Sequence, residues 1–269
     1  MNTVALTPWD LGLAALLVLA NAGLSLLLSL GLERQLVIAA VRTLVQLLLI
    51  GLVLEWLFAV SSPWWTAAMG LVMVLAAGRE VLSRQEWRLV GWWTYGLGTA
   101  SMLAAAGAVT VLALTAMVQP DPWYAPRYAI PLLGMILGNT MTGISLGLDT
   151  LLTSAVRERV SIEAQIALGA DRARAFRGIV RQSLRSGLIP IINAMSAAGL
   201  ISLPGMMTGQ ILAGANPIQA VKYQVLIMFL IAGGTGLGVF VAVLGAARRL
   251  SDDRHRLRLD RLTSPRREV

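Results

Sequence analysis

Residues 161–176 read SIEAQIALGADRARAF, a charged, glycine-broken segment inside a chain that elsewhere is mostly hydrocarbon. Ser161 is placed to cap a short helix, Ile162 to Leu168, by accepting a backbone N–H bond. Gly169 suits the left-handed position that ends a helix. Asp171 is placed to cap a second helix that runs on through Arg185. On that second helix Ala173, Phe176, Val180 and Leu184 recur at helical spacing and form an apolar stripe. Arg174, Arg177, Arg181 and Arg185 form a separate basic stripe. The expected object is a helix–turn–helix with one apolar side and one cationic side.

Both flanks of this segment are apolar. Of the 269 residues, 57% are apolar and 13% are charged, against about 25% charged in an ordinary soluble domain. The chain therefore reads as an integral membrane protein. A spanning helix needs about 20 apolar residues, and seven segments qualify: 10–30, 36–57, 64–78, 91–117, 128–152, 187–213 and 223–247. The sixth contains Pro190 and the run LPG at 203–205, which predicts kinks or a break. The start, MNTVALTPWDLGLAALL, has no basic stretch ahead of its apolar run, so a spanning helix is expected there and no cleavable signal. The expectation is an all-α integral membrane protein of about seven transmembrane helices. Its permease domain covers 1–247, with the hairpin region 153–186 between helices 5 and 6, and a basic tail covers 248–269.

Positive charge accumulates on the cytoplasmic side of a membrane protein. With seven spans, the connections at 31–35, 79–90 and 153–186 share one side with the tail, and they hold 19 of the 22 basic residues. Arg127 and Lys222 fall on the other side, and Arg42 falls inside the second span. This puts the amino end outside, and the hairpin and carboxyl end in the cytoplasm. Trp9, Trp56, Trp64, Trp65 and Trp123 then lie at outer boundaries and Trp87, Trp92 and Trp93 at inner ones, as an aromatic belt requires. The net charge of +8 is explained by topology, with attraction to the lipid bilayer as a second contribution and no need for nucleic acid.

Several chemistries are excluded. With no cysteine there is no disulfide, thiolate metal site or cysteine nucleophile. The one histidine, His255, lies in the tail, and no nucleophile–base pair stands out, so no catalytic residue is expected. The one lysine, Lys222, is in AVKYQ, and no G-x-x-x-x-G-K-[ST] phosphate loop occurs. If transport is driven by ATP, the engine is a separate subunit.

Polar residues inside the spans are the candidates for a path. An unsatisfied polar group in hydrocarbon costs several kcal/mol, so Asn139, Thr140, Thr142, Asp149, Asn193 and Gln210 are expected to face other helices or water. Asn139, Met141, Asn193, Met195, Met206, Met207 and Gln210 form the candidate translocation path. Methionine usually fills gaps in cores, and its thioether is also a soft ligand for metals such as Cu(I); no metal-binding residues are assigned. Arg42 and Gln46, one turn apart, form with Asp149 a candidate intramembrane polar network, structural or transport-linked. G-M-x-x-G occurs at 134–138 and 205–209, spacing that favours close helix pairing within a subunit or across a dimer.

The order Glu163, Ala164, Gly169, then Ile179 after nine residues resembles the EAA loop of ABC-transporter permeases. Gln165 replaces the second alanine of that loop, and Arg181 and Gln182 stand where it usually has Leu and Pro. In those permeases the loop is a coupling helix that docks into a groove on the ATP-binding subunit. Four stretches, IPLLGMILGNTMTG (130–143), ERVSIEAQIALGA (158–170), RSGLIPIINAMSAAGLISLPGMMTGQILAG (185–214) and NPIQAVKYQ (216–224), look like the FetB family of iron-export permeases. That family is similar to the plant aluminium-tolerance permeases. The resemblance implies the plasma (inner) membrane subunit of an ABC transporter, a homodimer served by two copies of a separate ATPase that binds ATP and Mg. The docking role maps to Glu163, Ala164 and Gly169, with Asp171 and Arg172 beside them as further candidates. Two alternatives stay open. An ABC import permease for a polar solute needs an external docking surface, for which VQPDPWYAPR (118–127) is the one sizeable outer loop. An ion-driven transporter or channel normally carries ionisable groups at mid-membrane.

Overall fold

A computed structural model describes residues 7–252 and 254–263. The chain divides into two compact units, Met1–Ser61 and Ser62–Val269. In the first, α1 (Pro8–Leu27) is followed by α2 (Glu33–Val60). A capping box starts α1: the Thr7 backbone N–H and hydroxyl both donate to the Asp10 carboxylate at 2.8 Å. At the turn, the Ser25 hydroxyl donates to Glu33 and accepts the Leu32 N–H, both at 3.0 Å. These local bonds satisfy helix-end groups that hydrocarbon cannot.

The second unit holds α3 (Pro63–Ser83) and one helical passage over Trp93–Val118, in which α4 (Trp93–Met102) and α5 (Ala108–Leu112) alternate with π-helical turns. Then come α6 (Pro126–Arg157), α7 (Arg159–Ala167), α8 (Arg172–Ala197), α9 (Gly205–Leu212) and α10 (Pro217–Arg249). Two residues of β1 (Arg88–Leu89) pair antiparallel with β2 (Leu262–Thr263). Among the described residues, six helices are long and apolar enough to cross a membrane: α1, α2, α3, the 93–118 passage, α6 and α10.

Segment 187–213, expected to be interrupted at Pro190 and at LPG 203–205, is broken at the second place only. Helix α8 passes through Pro190 unbroken, and the break falls at 198–204. Because α8 begins at Arg172, the second arm of the hairpin and the first half of that apolar segment are one rod. Ser161 is not a cap. Helix α6 continues to Arg157 and α7 starts at Arg159, so Ser161 sits inside α7, where its hydroxyl meets the Gln165 amide at 3.5 Å.

The core lies where α6, α8 and α10 cross, with α3 and α4 against α6. Gly143, Gly147, Gly187 and Gly238 are buried there. A β-carbon at Gly187 would lie 2.7 Å from the Gly143 carbonyl oxygen, and one at Gly143 would lie 2.9 Å from the Gly187 carbonyl oxygen. Glycine lets the two backbones touch. Of the expected G-M-x-x-G glycines only Gly134 is packed closely, its β-carbon position lying 3.2 Å from the Met73 methyl of α3. A β-carbon would meet nothing within 4 Å at Gly138, Gly205 or Gly209.

Candidate functional site

Three connections of the second unit are tied together. The Asp149 carboxylate, near the end of α6, accepts the Glu86 N–H of the α3–α4 connection at 3.0 Å. That connection pairs with β2, where the Thr263 hydroxyl also donates to the Arg88 carbonyl at 3.0 Å. The Arg172 N–H at the start of α8 donates to His255 Nδ1 at 3.2 Å. The regions in which arginine concentrates thus share one end of this unit.

In the stretch expected as a plain basic tail, Ser251 bridges antiparallel to Leu257 and the Arg258 N–H donates back to the Leu250 carbonyl at 2.8 Å. Asp252 accepts the backbone N–H groups of Arg254 and Arg256 and pairs with the Arg256 guanidinium at 2.8 Å. The Arg256 backbone N–H holds the Asp252 carboxyl below its usual range. Arg258 makes two 2.8 Å bonds to Asp260, which lower that carboxyl to about 2, while the Arg258 guanidinium is held more firmly protonated. Arg261 donates to the Arg249 carbonyl at 2.7 Å, and Arg249 stacks over the Trp93 ring at 4.2 Å.

In the hairpin, Gly169 takes a φ of +90°, and Asp171 caps α8 by accepting the Arg174 N–H at 2.7 Å. Ile162, Ala175, Phe176 and Ile179 are buried and fix α7 against the foot of α8. Of the expected stripe on α8, Phe176 is buried and Val180 and Leu184 pack partly buried against the core, while Ala173 is exposed and Ala175, Ile179, Ser183 and Gly187 form the most buried line. On the outer face of α7, Val160, Ala164 and Leu168 are exposed at four-residue spacing, with Leu168 89% accessible. Glu163 is held by Arg159 at 2.9 Å. The expected basic stripe is present: Arg174, Arg177, Arg181 and Arg185 are all exposed. Arg174, Arg177 and Arg181 line a cleft of about 650 Å³ between α7 and α8, with Ser161 and Gln165 across it.

The candidate path residues separate into two groups. Asn139 and Asn193 are exposed on α6 and α8, and the Asn139 amide donates to the Met135 carbonyl at 2.9 Å. Met141 and Met206 are partly buried against the core, and the buried Gln210 Oε1 accepts no hydrogen bond among the described residues. Met195 and Met207 line one cavity of about 400 Å³ against α10, joined there by Met228 and Gln224. Met228 and Gln224 were missed by the sequence reading; a lone glutamine within the apolar run of α10 was the available signal. In the first unit Arg42 and Gln46 are exposed on α2. Among the described residues, no three or more His, Asp or Glu side chains gather as a metal site would need.

Six apolar helices, a glycine-packed crossing and a charged face at one end define a multi-pass α-helical membrane protein. The chain matches the family described as "Uncharacterised protein family (UPF0014)" over residues 8–251, and it belongs to that family. A UPF0014 membrane protein of Synechocystis is 38% identical over 232 residues, 83% of this chain and 84% of the relative. The "Probable iron export permease protein FetB" of Escherichia coli is 30% identical over 257 residues, 96% and 97% of the two chains. "Protein ALUMINUM SENSITIVE 3" of Arabidopsis thaliana is 33% identical over 220 residues, 82% of this chain and 78% of the relative. No solved structure matches the chain.

Proposed function

We propose that this chain is the permease subunit of an ATP-driven exporter of the bacterial inner membrane, carrying a metal ion of the iron class. Two copies would work with two copies of a separate ATPase, which holds the ATP and Mg²⁺; this chain supplies no catalytic group. The observation that carries the reading is the α7–α8 hairpin. It presents Val160, Ala164 and Leu168 as an uncovered apolar ridge beside exposed arginines, while Ile162 and Phe176 anchor it to the α6–α8–α10 core. A rigid hairpin joined end-on to a membrane helix can transmit a push from a soluble partner, because α8 is one rod from Arg172 to Ala197. The name of the Escherichia coli relative supports iron as cargo and export as direction.

In this reading the amino end is outside and the hairpin is cytoplasmic, following the arginine distribution. Seven passages result when the second half of α8 and α9 count together as one. Asn139 and Asn193, exposed within apolar helices, support a second copy or a hydrated path against α6 and α8, since hydrocarbon cannot satisfy their amides.

The test is purification with the cognate ATPase, followed by iron-dependent ATP hydrolysis and uptake in inverted vesicles. Glu163→Ala and Gly169→Val are expected to abolish co-purification and stimulated hydrolysis while leaving membrane insertion intact. Undiminished association in both variants would remove the docking role, and transport without any ATPase would place the chain among ion-driven transporters.

A further inference from the structure

The cavity beside the break in the α8–α9 segment has a chemistry that the exporter reading does not use. It holds about 400 Å³ and lies between the end of α8, the 198–204 turn, the start of α9 and the face of α10. The turn is specific: Gly199 takes a φ of +85°, its N–H donates to the Ser202 carbonyl at 2.9 Å, and the Ser202 N–H returns to the Ala197 carbonyl at 3.1 Å. That reversal sets Met195, on α8, and Met207, on α9, on the wall of one space, with Met228 of α10 as a third thioether. Non-helical backbone at membrane depth is tolerated where it is buried in protein or lines a cavity.

Gln224 is the second, independent observation. It also lines the cavity and is only 8% exposed, yet its side-chain oxygen accepts no hydrogen bond among the described residues. A buried carbonyl oxygen without a donor is costly unless something fills the role. The residues that line the cavity therefore carry three soft thioether sulfurs and one unpartnered amide oxygen, all lone-pair donors and none charged. Its remaining wall is small or apolar, including Leu203 and Phe229, and contains no acid, histidine or base.

These donors select by charge and softness. Stripping water from an ion costs more steeply as its charge rises, and a neutral wall supplies no anion to offset that cost. Divalent and trivalent hard ions require carboxylates or several oxygens. A monovalent soft ion loses least on dehydration and prefers thioether sulfur. The end of α8 and the start of α9 both border the space, so their opposed helix-end charges give no net preference of sign. We propose that this cavity binds a soft monovalent cation of the copper(I) class through Met195, Met207 and Met228, with the Gln224 oxygen as an auxiliary ligand. The site is independent of the exporter reading, because binding to the isolated permease needs neither ATPase nor movement.

The probe is Ag⁺, which needs no reductant, added as silver nitrate to the purified, detergent-solubilised full chain in chloride-free buffer. Equilibrium dialysis with metal analysis is expected to show one more Ag⁺ per chain in the wild type than in a triple Met195→Leu, Met207→Leu, Met228→Leu variant. Leucine keeps the volume, so the variant is expected to fold; an unchanged circular dichroism melt checks this. X-ray absorption of the loaded wild type is expected to show a sulfur shell that the triple variant lacks. Gln224→Leu is expected to weaken Ag⁺ by about tenfold, the scale of an auxiliary partner. Should the triple variant melt early, Met228→Leu alone decides, and it must lose the sulfur-bound Ag⁺ to support the site. Equal silver uptake and sulfur signal in wild type and variants, or displacement of Ag⁺ by an equal concentration of Fe²⁺, overturns the proposal.

Discussion

Two sets of glycines with the same four-residue spacing behave in opposite ways. At the α6–α8–α10 crossing, Gly143 and Gly147, four apart on α6, together with Gly187 of α8 and Gly238 of α10, are places where a β-carbon would press on a facing side chain or carbonyl. On α9, Gly205 and Gly209 face open space. The first set closes the subunit. The second leaves a smooth, uncovered surface beside the exposed Leu200, Ile201 and Leu212. Spacing alone reports that a close approach is allowed; only the neighbouring helix decides whether one is made.

The contrast is open to direct attack. Gly187→Ala should have the largest effect, because the new methyl meets a backbone carbonyl that cannot rotate away; a loss of about 3 kcal/mol is expected, read as an early melt in detergent. Retained stability there would mean the crossing is looser than described. Gly169→Ala comes next. Its φ of +90° is one an L side chain resists, at about 1–2 kcal/mol, yet the site is open, so the strain should appear as faster protease cleavage near 168–172 and leave the global melt in place.

Gly209→Ala should leave the melt unchanged or raise it by at most about 1 kcal/mol, since alanine favours a helix interior. If α9 meets a second copy, the cross-linked dimer fraction should fall at the same time. An unchanged dimer would assign that open face to lipid.

The smallest change concerns charge instead of shape. Asp252 and Asp260 have carboxyls lowered by their arginine partners, Asp260 to about 2. Unfolded carboxylates titrate near about 3.9, so the tail gains this support above about pH 4 and loses it as the pH falls toward 2. Hydrogen exchange across residues 254–263 should rise over that window while the glycine crossing stays protected. Loss of both together would show that the tail is part of the core.

What was legible in the sequence follows the range of the interactions. The apolar runs marked the helices, because burial in lipid is decided segment by segment. Gly169 and Asp171 were readable because a helix end is satisfied within four residues. Ser161 failed for a local reason of a different kind: α6 runs past its apolar stretch and leaves only Glu158 before α7, so the cap position lies upstream. The crossing glycines, the Met228 and Gln224 wall and the folded tail were not legible, because each depends on which distant helix lies opposite. The polarity of Gln224 in an apolar run was visible; its lack of a partner was not.

The β1–β2 pairing joins residues 175 apart in the chain, and the six spanning helices found among the described residues all lie before β2. The charged end of the second unit therefore cannot be completed during synthesis of the spans; it is closed by the last of its parts to leave the ribosome. Until then the α3–α4 connection lacks its strand partner and the Arg172 N–H lacks the His255 acceptor. The Arg172–His255 bond at the foot of α8 is thus made only after these six helices have been synthesised, so the charged end is closed after the spans that it caps.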